Sequence, residues 1–276
     1  MRLVRSTDEV LVAVHDFGGN GSPMLLAHAT GFCGQVMAPL AEHLKMDFRC
    51  LALDFRGHGG TRTPPSVDFQ WTGLADDVIA AITGNVEGPV FAFGHSSGGA
   101  AVLMAEARCP GLFAGLVAFE PVLWPDPTAA VARAERLANG ARRRRAGFPS
   151  REEAYENYAS KPPFSWMDEQ VLRAYVDHGL VEADDGTVTL ACRPEVEARI
   201  YLQGAANDSF SSLADVDCPV VVARGTERGA IERPITEAQV GALPNGRLED
   251  LDGLSHFGPL EDPSRAAAMV LRRFGP

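Results

Sequence analysis

Phe91-Ala-Phe-Gly-His-Ser-Ser-Gly-Gly99 constrains this chain more than any other stretch. A short apolar run enters Gly-x-Ser-x-Gly, and the small residues Ala100, Ala101, Ala105 and Ala107 continue it as a helix. A strand that turns directly into a helix holds its hinge residue in a strained backbone conformation, and the flanking positions have no room for side chains. Gly94 and Gly98 occupy those positions. Such a turn lifts the Ser96 hydroxyl above the sheet and sets the free N–H groups of the new helix beside it.

Short apolar runs alternate with helical spacing on both sides of this turn. Strands are expected at Glu9–His15, Met24–Ala27, Phe48–Leu53, Val90–Phe93, Leu116–Phe119, Val220–Ala223 and Arg247–Leu251. Helices are expected at Gln35–Lys45, Asp68–Thr83, Ile235–Ala242 and Pro263–Arg273. The alternation predicts an α/β fold with a mostly parallel sheet covered on both faces. It breaks off near Pro121 and resumes at Pro219. Between them, Thr128–Arg145, Arg151–Ala159, Asp168–His178 and Pro194–Gln203 all carry helical spacing, punctuated by prolines. We therefore expect a core of residues 1–121 and 212–276 with a helical cap at 122–211. The run Arg142–Arg145 reads as a solvated helix face, because no aromatic residue interleaves it.

A serine hydroxyl needs a base, and the base needs a partner that fixes its tautomer. Of seven histidines, His256 stands out, because Gly253-Leu-Ser-His-Phe-Gly-Pro259 directly follows the last expected strand. Loops at the carboxyl ends of parallel strands are where catalytic groups gather. His15, His28, His43, His58, His95 and His178 read as structural or surface residues. Two convergent N–H donors are needed for an oxyanion. Ser97 N–H is one, and Thr30 N–H, in the small-residue loop His28-Ala-Thr-Gly-Phe32, is the other.

In order, His28-x-x-Gly31, Asp54-x-Arg-Gly-His-Gly59, Gly94-His-Ser-Ser-Gly98 and Gly253-x-x-His256 followed by Glu261-Asp-Pro263 resemble the α/β-hydrolase superfamily. The resemblance spans nearly everything except the cap. It implies an eight-stranded, mostly parallel sheet, a Ser–acid–His triad and no required cofactor. Family members commonly place the acid in Gly-x-x-Asp after the strand corresponding to Val220–Ala223. Here Gly225-Thr-Glu-Arg228 puts arginine at that position, leaving Glu227, Glu232 and Glu120 as candidates. Some members, including certain lactonases, carry the acid where Glu120 stands. Glu120 closes an otherwise apolar strand, where a carboxylate is costly to bury without a partner such as His256. Glu120 is the preferred acid and Glu227 the alternative.

A serine rather than an aspartate nucleophile favours acyl chemistry. The expected function is hydrolysis of a carboxylic ester or lactone through an acyl-enzyme on Ser96. A thioesterase, C–C hydrolase or acyltransferase would use the same triad, and a non-catalytic ligand-binding protein would use the same scaffold. The cap residues Trp124, Phe148, Tyr155, Tyr158, Phe164 and Trp166 offer apolar surface, and Phe32, Trp124, Phe164, Trp166 and Phe257 are the expected substrate contacts. These aromatic residues suit a small hydrophobic substrate. They serve equally as the cap's own core.

The 276 residues carry 46% hydrophobic and 22% charged residues with a net charge of -11, which argues against nucleic acid or an anionic membrane as partner. Cys33, Cys50, Cys109, Cys192 and Cys218 form no Cys-x-x-Cys pair, so neither a metal site nor a disulfide framework is expected. The N-terminus lacks the apolar segment of a signal peptide, no run is long enough to span a bilayer, and a cytoplasmic monomer or homodimer is expected.

Overall fold

A computed structural model describes residues 1–205 and 209–276. Eight strands form the main sheet: β1 (Arg2–Arg5), β2 (Leu11–Gly18), β3 (Ser22–Ala27), β4 (Phe48–Asp54), β5 (Val90–His95), β6 (Phe113–Phe119), and then, after a long insert that holds β7, β8 and β9, β10 (Val220–Gly225) and β11 (Gly246–Leu251). Their spatial order is β1-β2-β4-β3-β5-β6-β10-β11. The β1–β2 and β2–β4 pairs are antiparallel, and every pair from β4 to β11 is parallel. β1, absent from the expected strands, is a short polar edge strand whose Leu3↔Ala13 register extends β2.

The central strands are continuously apolar because both faces are covered. The two-residue period sorts their side chains cleanly. Leu25, Ala27, Leu51, Leu53, Ala92, Leu116, Ala118, Val220 and Val222 point to one face, which is packed by α2 (Trp71–Thr83) and α3 (Ser97–Arg108). Met24, Leu26, Cys50, Ala52, Phe93, Val117, Phe119, Val221 and Ala223 point to the other, packed by α1 (Ala38–Leu44) and the C-terminal helix Pro263–Phe274.

The insert between β6 and β10 is not purely helical. It contains α4 (Pro127–Arg142), β7 (Gly147–Phe148), α5 (Arg151–Ala159), α6 (Glu169–His178), β8 (Leu180–Glu182), β9 (Val188–Leu190) and α7 (Pro194–Ala205). β7, β9 and β8 make a small antiparallel sheet, which corrects the expectation of an all-helical insert. The strands are two or three residues long, too short to show periodicity. Their hairpin closes through the Ala183 N–H donating to Thr187 O at 2.8 Å, with Gly186 at φ +81°. The dipeptide Asp185-Gly186 is the readable signal for that turn. α4 stops at Arg142, three residues before its expected end.

Arg56, just after β4, and Asp77, on α2, form an ion pair with side chains 1% and 0% exposed. Asp77 also accepts from the Arg56 backbone N–H at 3.0 Å and from the Ser6 hydroxyl at 2.7 Å. Replacing Asp77 with alanine leaves the buried guanidinium only the exposed Asp8 carboxylate and the Thr7 hydroxyl, so Asp77→Ala is expected to lose about 3 kcal/mol of unfolding free energy, the low end for a broken buried pair, measured by guanidinium denaturation. A loss below about 1 kcal/mol, the range of an exposed pair, would refute the assignment.

Candidate active site

The strand β5 ends at His95, and Ser96 sits at φ 56°, ψ −116° as the N-cap of α3. The Ser96 N–H donates to Phe119 O at 2.9 Å, which fastens the strained residue to the neighbouring strand. A Cβ at Gly94 would lie 2.5 Å from Gly98 O, and one at Gly98 would lie 2.3 Å from Ala27 O. Side chains at either position would collide with backbone, and the turn has this shape only with glycine at both.

Glu120 follows β6 directly at φ 46° and is completely buried. Its Oε1 accepts from the Gly225 N–H at 2.9 Å. Its Oε2 accepts from the Ile231 N–H at 2.9 Å and from His256 Nδ1–H at 2.6 Å. Three donors therefore hold this carboxylate. The opposite ring nitrogen of His256, Nε2, lies 3.1 Å from Ser96 Oγ. The structure thus brings Ser96, His256 and Glu120 into one hydrogen-bonded chain with the serine O–H donating to Nε2. Glu227 is exposed on the loop after β10, and His256 has no contact with it among the described interactions. Arg228, where an aspartate is usual, is exposed as well.

The loop that carries His256 is itself braced. Ser255 N–H donates to Glu261 Oε2 at 3.1 Å, and the Ser255 hydroxyl also donates to Glu261. His95 Nε2–H donates to the His256 carbonyl at 2.7 Å. Burial, reinforced by the neighbouring His256, pushes His95 down to about 3, so it stays neutral and works as a fixed donor.

The loop after β3 makes its own contacts in the resting site. Thr30 N–H, expected to point into the site, donates to Ser97 Oγ at 2.8 Å, and the Thr30 hydroxyl donates to the same oxygen at 2.9 Å. Gly31 N–H donates to His58 Nε2 at 2.9 Å, and Phe32 N–H donates to Ala29 O at 3.2 Å. Ser97 N–H, at the first position of α3, has no acceptor within the helix. His58 Nδ1–H donates to Arg56 O at 3.1 Å. Burial, with His28 adding to it, pushes His58 down to about 3, so its Nε2 remains an acceptor for the Gly31 N–H. Asp54 grips the same region: Gly34 N–H donates to its Oδ1 at 2.6 Å and Gly60 N–H to its Oδ2 at 2.8 Å.

Ser96 and His256 open into a cavity of about 230 Å³, below the roughly 300–1,000 Å³ of ordinary small-molecule sites, so it suits a small ligand. Thr30, Ser97, Phe32, Trp124, Phe164 and Phe257 all line it. Trp166 does not: it is 43% exposed on the outside of the insert. Phe148 is 3% exposed and packs with Tyr158, and neither side chain reaches the cavity. Both serve the insert's own core. Tyr155 is half-buried against the same core and lies beneath Arg173, whose guanidinium is 3.6 Å from the ring centre.

Three charged lining residues were not singled out by the sequence. Arg144, from the run read as a solvated face, turns inward and pairs with Glu197 at 2.5 Å, and it donates to the Tyr175 hydroxyl at 2.6 Å. Arg133, on α4, is the third. Arg133 has a readable signal, since Ala130, Arg133, Ala134 and Leu137 repeat at the spacing of one helix face. The Arg144–Glu197 pair has none, because it joins positions far apart in the chain.

With this geometry in hand, comparison with known proteins is decisive for the family. Residues 11–269 match the model of the alpha/beta hydrolase family. The chain belongs to that family. A 2-(acetamidomethylene)succinate hydrolase from Mesorhizobium japonicum is 27% identical over 239 residues, which is 87% of this chain and 83% of the relative. Lipase LipV from Mycobacterium tuberculosis is 26% identical over 271 residues, 95% of this chain and 97% of the lipase. Among solved structures, E-2-(acetamidomethylene)succinate hydrolase superposes with a TM-score of 0.84 at 21% identity, covering 98% of this chain and 97% of the other. A thermophilic esterase from Thermogutta terrifontis gives 0.73 at 23%, covering 98% and 96%. At these identities the structural likeness establishes the alpha/beta hydrolase fold. Among the described residues, no helix is long and apolar enough to cross a membrane, and no group of acidic, cysteine or histidine side chains has the arrangement to hold a metal ion.

The buried neutral histidines His58 and His95, with buried His28 shifted in the same direction, set a pH dependence. Between about 3, where His58 and His95 titrate in the folded protein, and the ordinary 6.5, the unfolded chain binds protons that the folded chain refuses. Stability therefore rises with pH across that window and falls as pH drops through it. From about pH 6.5 to 5, we expect a slope approaching about 1.4 kcal/mol per pH unit for each histidine in guanidinium denaturation. A flat profile over that interval would show that the two histidines do not resist protonation.

Proposed function

We propose that this protein is a serine hydrolase that cleaves a carboxylic ester or lactone through an acyl-enzyme on Ser96. The observation that carries the reading is the unbroken chain from Glu120 through His256 to Ser96, at 2.6 and 3.1 Å. Ser96 Oγ attacks the acyl carbon and His256 Nε2 takes its proton. Glu120, locked by the Gly225 and Ile231 N–H groups, keeps the His256 proton on Nδ1 and stabilises the imidazolium. His256 then passes the proton to the leaving oxygen. Water, deprotonated by the same nitrogen, releases the acid and restores Ser96.

The developing oxyanion takes Ser97 N–H and Thr30 N–H as its donors. Thr30 N–H is bonded to a neutral hydroxyl in the resting site, but a charged oxygen is the stronger acceptor. Ser97 Oγ keeps the Thr30 hydroxyl as its partner when the N–H is drawn away. The insert acts as the cap that closes the site, with Trp124 and Phe164 as its apolar contacts. Five unpaired cysteines, four of them buried, support a reducing compartment such as the cytoplasm.

A second reading, hydrolysis of an amide-type C–N bond, is favoured by the relative that acts on 2-(acetamidomethylene)succinate and aligns over most of both chains. The same triad serves it, with His256 protonating nitrogen instead of oxygen.

Ser96→Ala is expected to lower kcat by on the order of 10³-fold or more with the fold intact by circular dichroism, and to abolish fluorophosphonate labelling of the Ser96 peptide. Near-native turnover by the purified variant would end the mechanism. Glu120→Gln should reduce kcat by roughly 10²- to 10⁴-fold, whereas Glu227→Gln should stay within about threefold. The reverse ranking would move the acid to the loop after β10.

A further inference from the structure

Three basic side chains border the cavity, and their positions are not equivalent. His256 is engaged by Glu120 and Ser96. Arg144 is neutralised by Glu197 and also donates to the Tyr158 and Tyr175 hydroxyls. Arg133 forms no ion pair and no side-chain hydrogen bond among the described residues. Its Nε is sealed from solvent and has no hydrogen-bond partner. A buried donor on a charged group is normally satisfied, so an unpaired one on a residue that borders the cavity singles out Arg133 as the cation without a built-in acceptor.

The surroundings select the kind of acceptor. The Arg133 guanidinium lies over the Trp124 ring, 4.9 Å from its centre, and that contact fixes the plane of the fork. Beside it on the same helix face stand Ala130 and Ala134, whose small side chains leave space next to the guanidinium. A planar guanidinium fork matches a carboxylate, which accepts two parallel N–H bonds. Burial lowers the arginine's affinity for its proton against the pull of Glu232 and Glu120, as expected of a cation held without a close counter-charge. One cation balances one carboxylate, whereas a phosphate dianion would keep one charge uncompensated.

Resting on the serine-hydrolase reading, we propose that Arg133 binds a carboxylate carried by the substrate at the end remote from the scissile acyl group. The substrate class is then the small half-ester, or half-amide, of a dicarboxylic acid. Ser96 Oγ forms the acyl bond as the alcohol or amine departs with the proton from His256. Water then cleaves that bond, and the product is the free dicarboxylate.

The test pairs monoethyl succinate with ethyl 4-methylpentanoate, in which a neutral isopropyl group replaces the carboxylate. Wild-type protein should favour the anionic ester by kcat/KM. In Arg133→Leu that preference should fall roughly 10- to 100-fold, the span carried by a hydrogen bond to a charged group, and Arg133→Lys should keep an intermediate preference. Equal or inverted preference in the wild type, or an unchanged ratio in a folded Arg133→Leu protein, would overturn the proposal. Calorimetry on Ser96→Ala protein supplies a readout that needs no turnover. Succinate should bind at millimolar concentration and should fail to bind once Arg133→Leu is added. Absence of succinate binding, or inorganic phosphate binding as tightly, would also overturn it. If Arg133→Leu does not fold, Arg133→Gln carries both measurements. Loss of fluorophosphonate labelling at Ser96 with succinate binding intact would remove the hydrolase reading alone and leave the anion site standing.

Discussion

The Glu120 carboxylate is the joint on which the site is assembled. Its two oxygens accept from Gly225, Ile231 and His256, so one buried side chain ties the end of β6 to the loop after β10 and to the loop after β11. A carboxylate taken wholly out of water is tolerable only when its oxygens are filled, and here they are filled by two fixed backbone donors before the histidine is counted. The backbone donors come from residues with no freedom to move away. Gly225 continues β10 in register with Leu251, and a Cβ on it would lie 2.2 Å from Leu254 O. His256 therefore meets a carboxylate whose position is set by the sheet, and its ring orientation follows.

The other side of the site is held by the same logic with different chemistry. The loop from His28 to Phe32 must bring backbone N–H groups close to Ser96, yet has no regular structure of its own. Its order comes from buried neutral histidines. His28 Nδ1–H donates to Ala29 O at 2.7 Å while its Nε2 accepts from the Phe55 N–H at 3.2 Å. His58 does likewise between Arg56 O and the Gly31 N–H. Each imidazole needs one donor and one acceptor nitrogen, which only the neutral form has. Burial keeps both uncharged, so the desolvation that would be a penalty for a titrating group is what makes these two useful as rigid struts. Asp54 completes the frame through Gly34 and Gly60, which accounts for the close spacing of Asp54, His58 and Gly60.

What the sequence made legible follows from how locally each feature is encoded. The Ser96 turn is written in consecutive residues, because both glycines and the strained serine lie within one turn. His256 is legible from its place after the last strand. Glu120 is legible only by contrast: an acidic residue closing an apolar strand, together with Arg228 where an acid is usual. β1 stayed hidden because Arg-Leu-Val-Arg has one buried side chain and three that face outward or half outward, so no alternation develops. The small sheet of the insert stayed hidden because its longest strand has three residues. The engagement of Thr30 N–H with Ser97 Oγ is a matter of rotamer and approach between residues far apart in sequence, to which no pattern of residue types is sensitive.

Arg144 shows how far a local reading can miss. Four consecutive arginines look like a solvated face, and Arg142, Arg143 and Arg145 are exposed as that reading requires. The helix ends at Arg142, though, so the next residues no longer follow its periodicity, and Arg144 turns under the insert to reach Glu197. The pair has a consequence for the loop beneath it. Gly31, at φ +87°, has Glu197 Oε1 2.8 Å from where a Cβ would stand, so the glycine is what allows the insert's ion pair to settle against the oxyanion loop. An ion pair buried between two layers contributes little net stability but is costly to break, and so it fixes their register. With Arg144 committed to that register, its charge is not available to a ligand. That division separates the two arginines of this cavity: one is a structural cation with a built-in carboxylate, the other a cation whose carboxylate must arrive from outside. A protein of net charge -11 can hold such a site because a low-dielectric cavity responds to the nearest charges, while distant surface carboxylates are screened by water and salt.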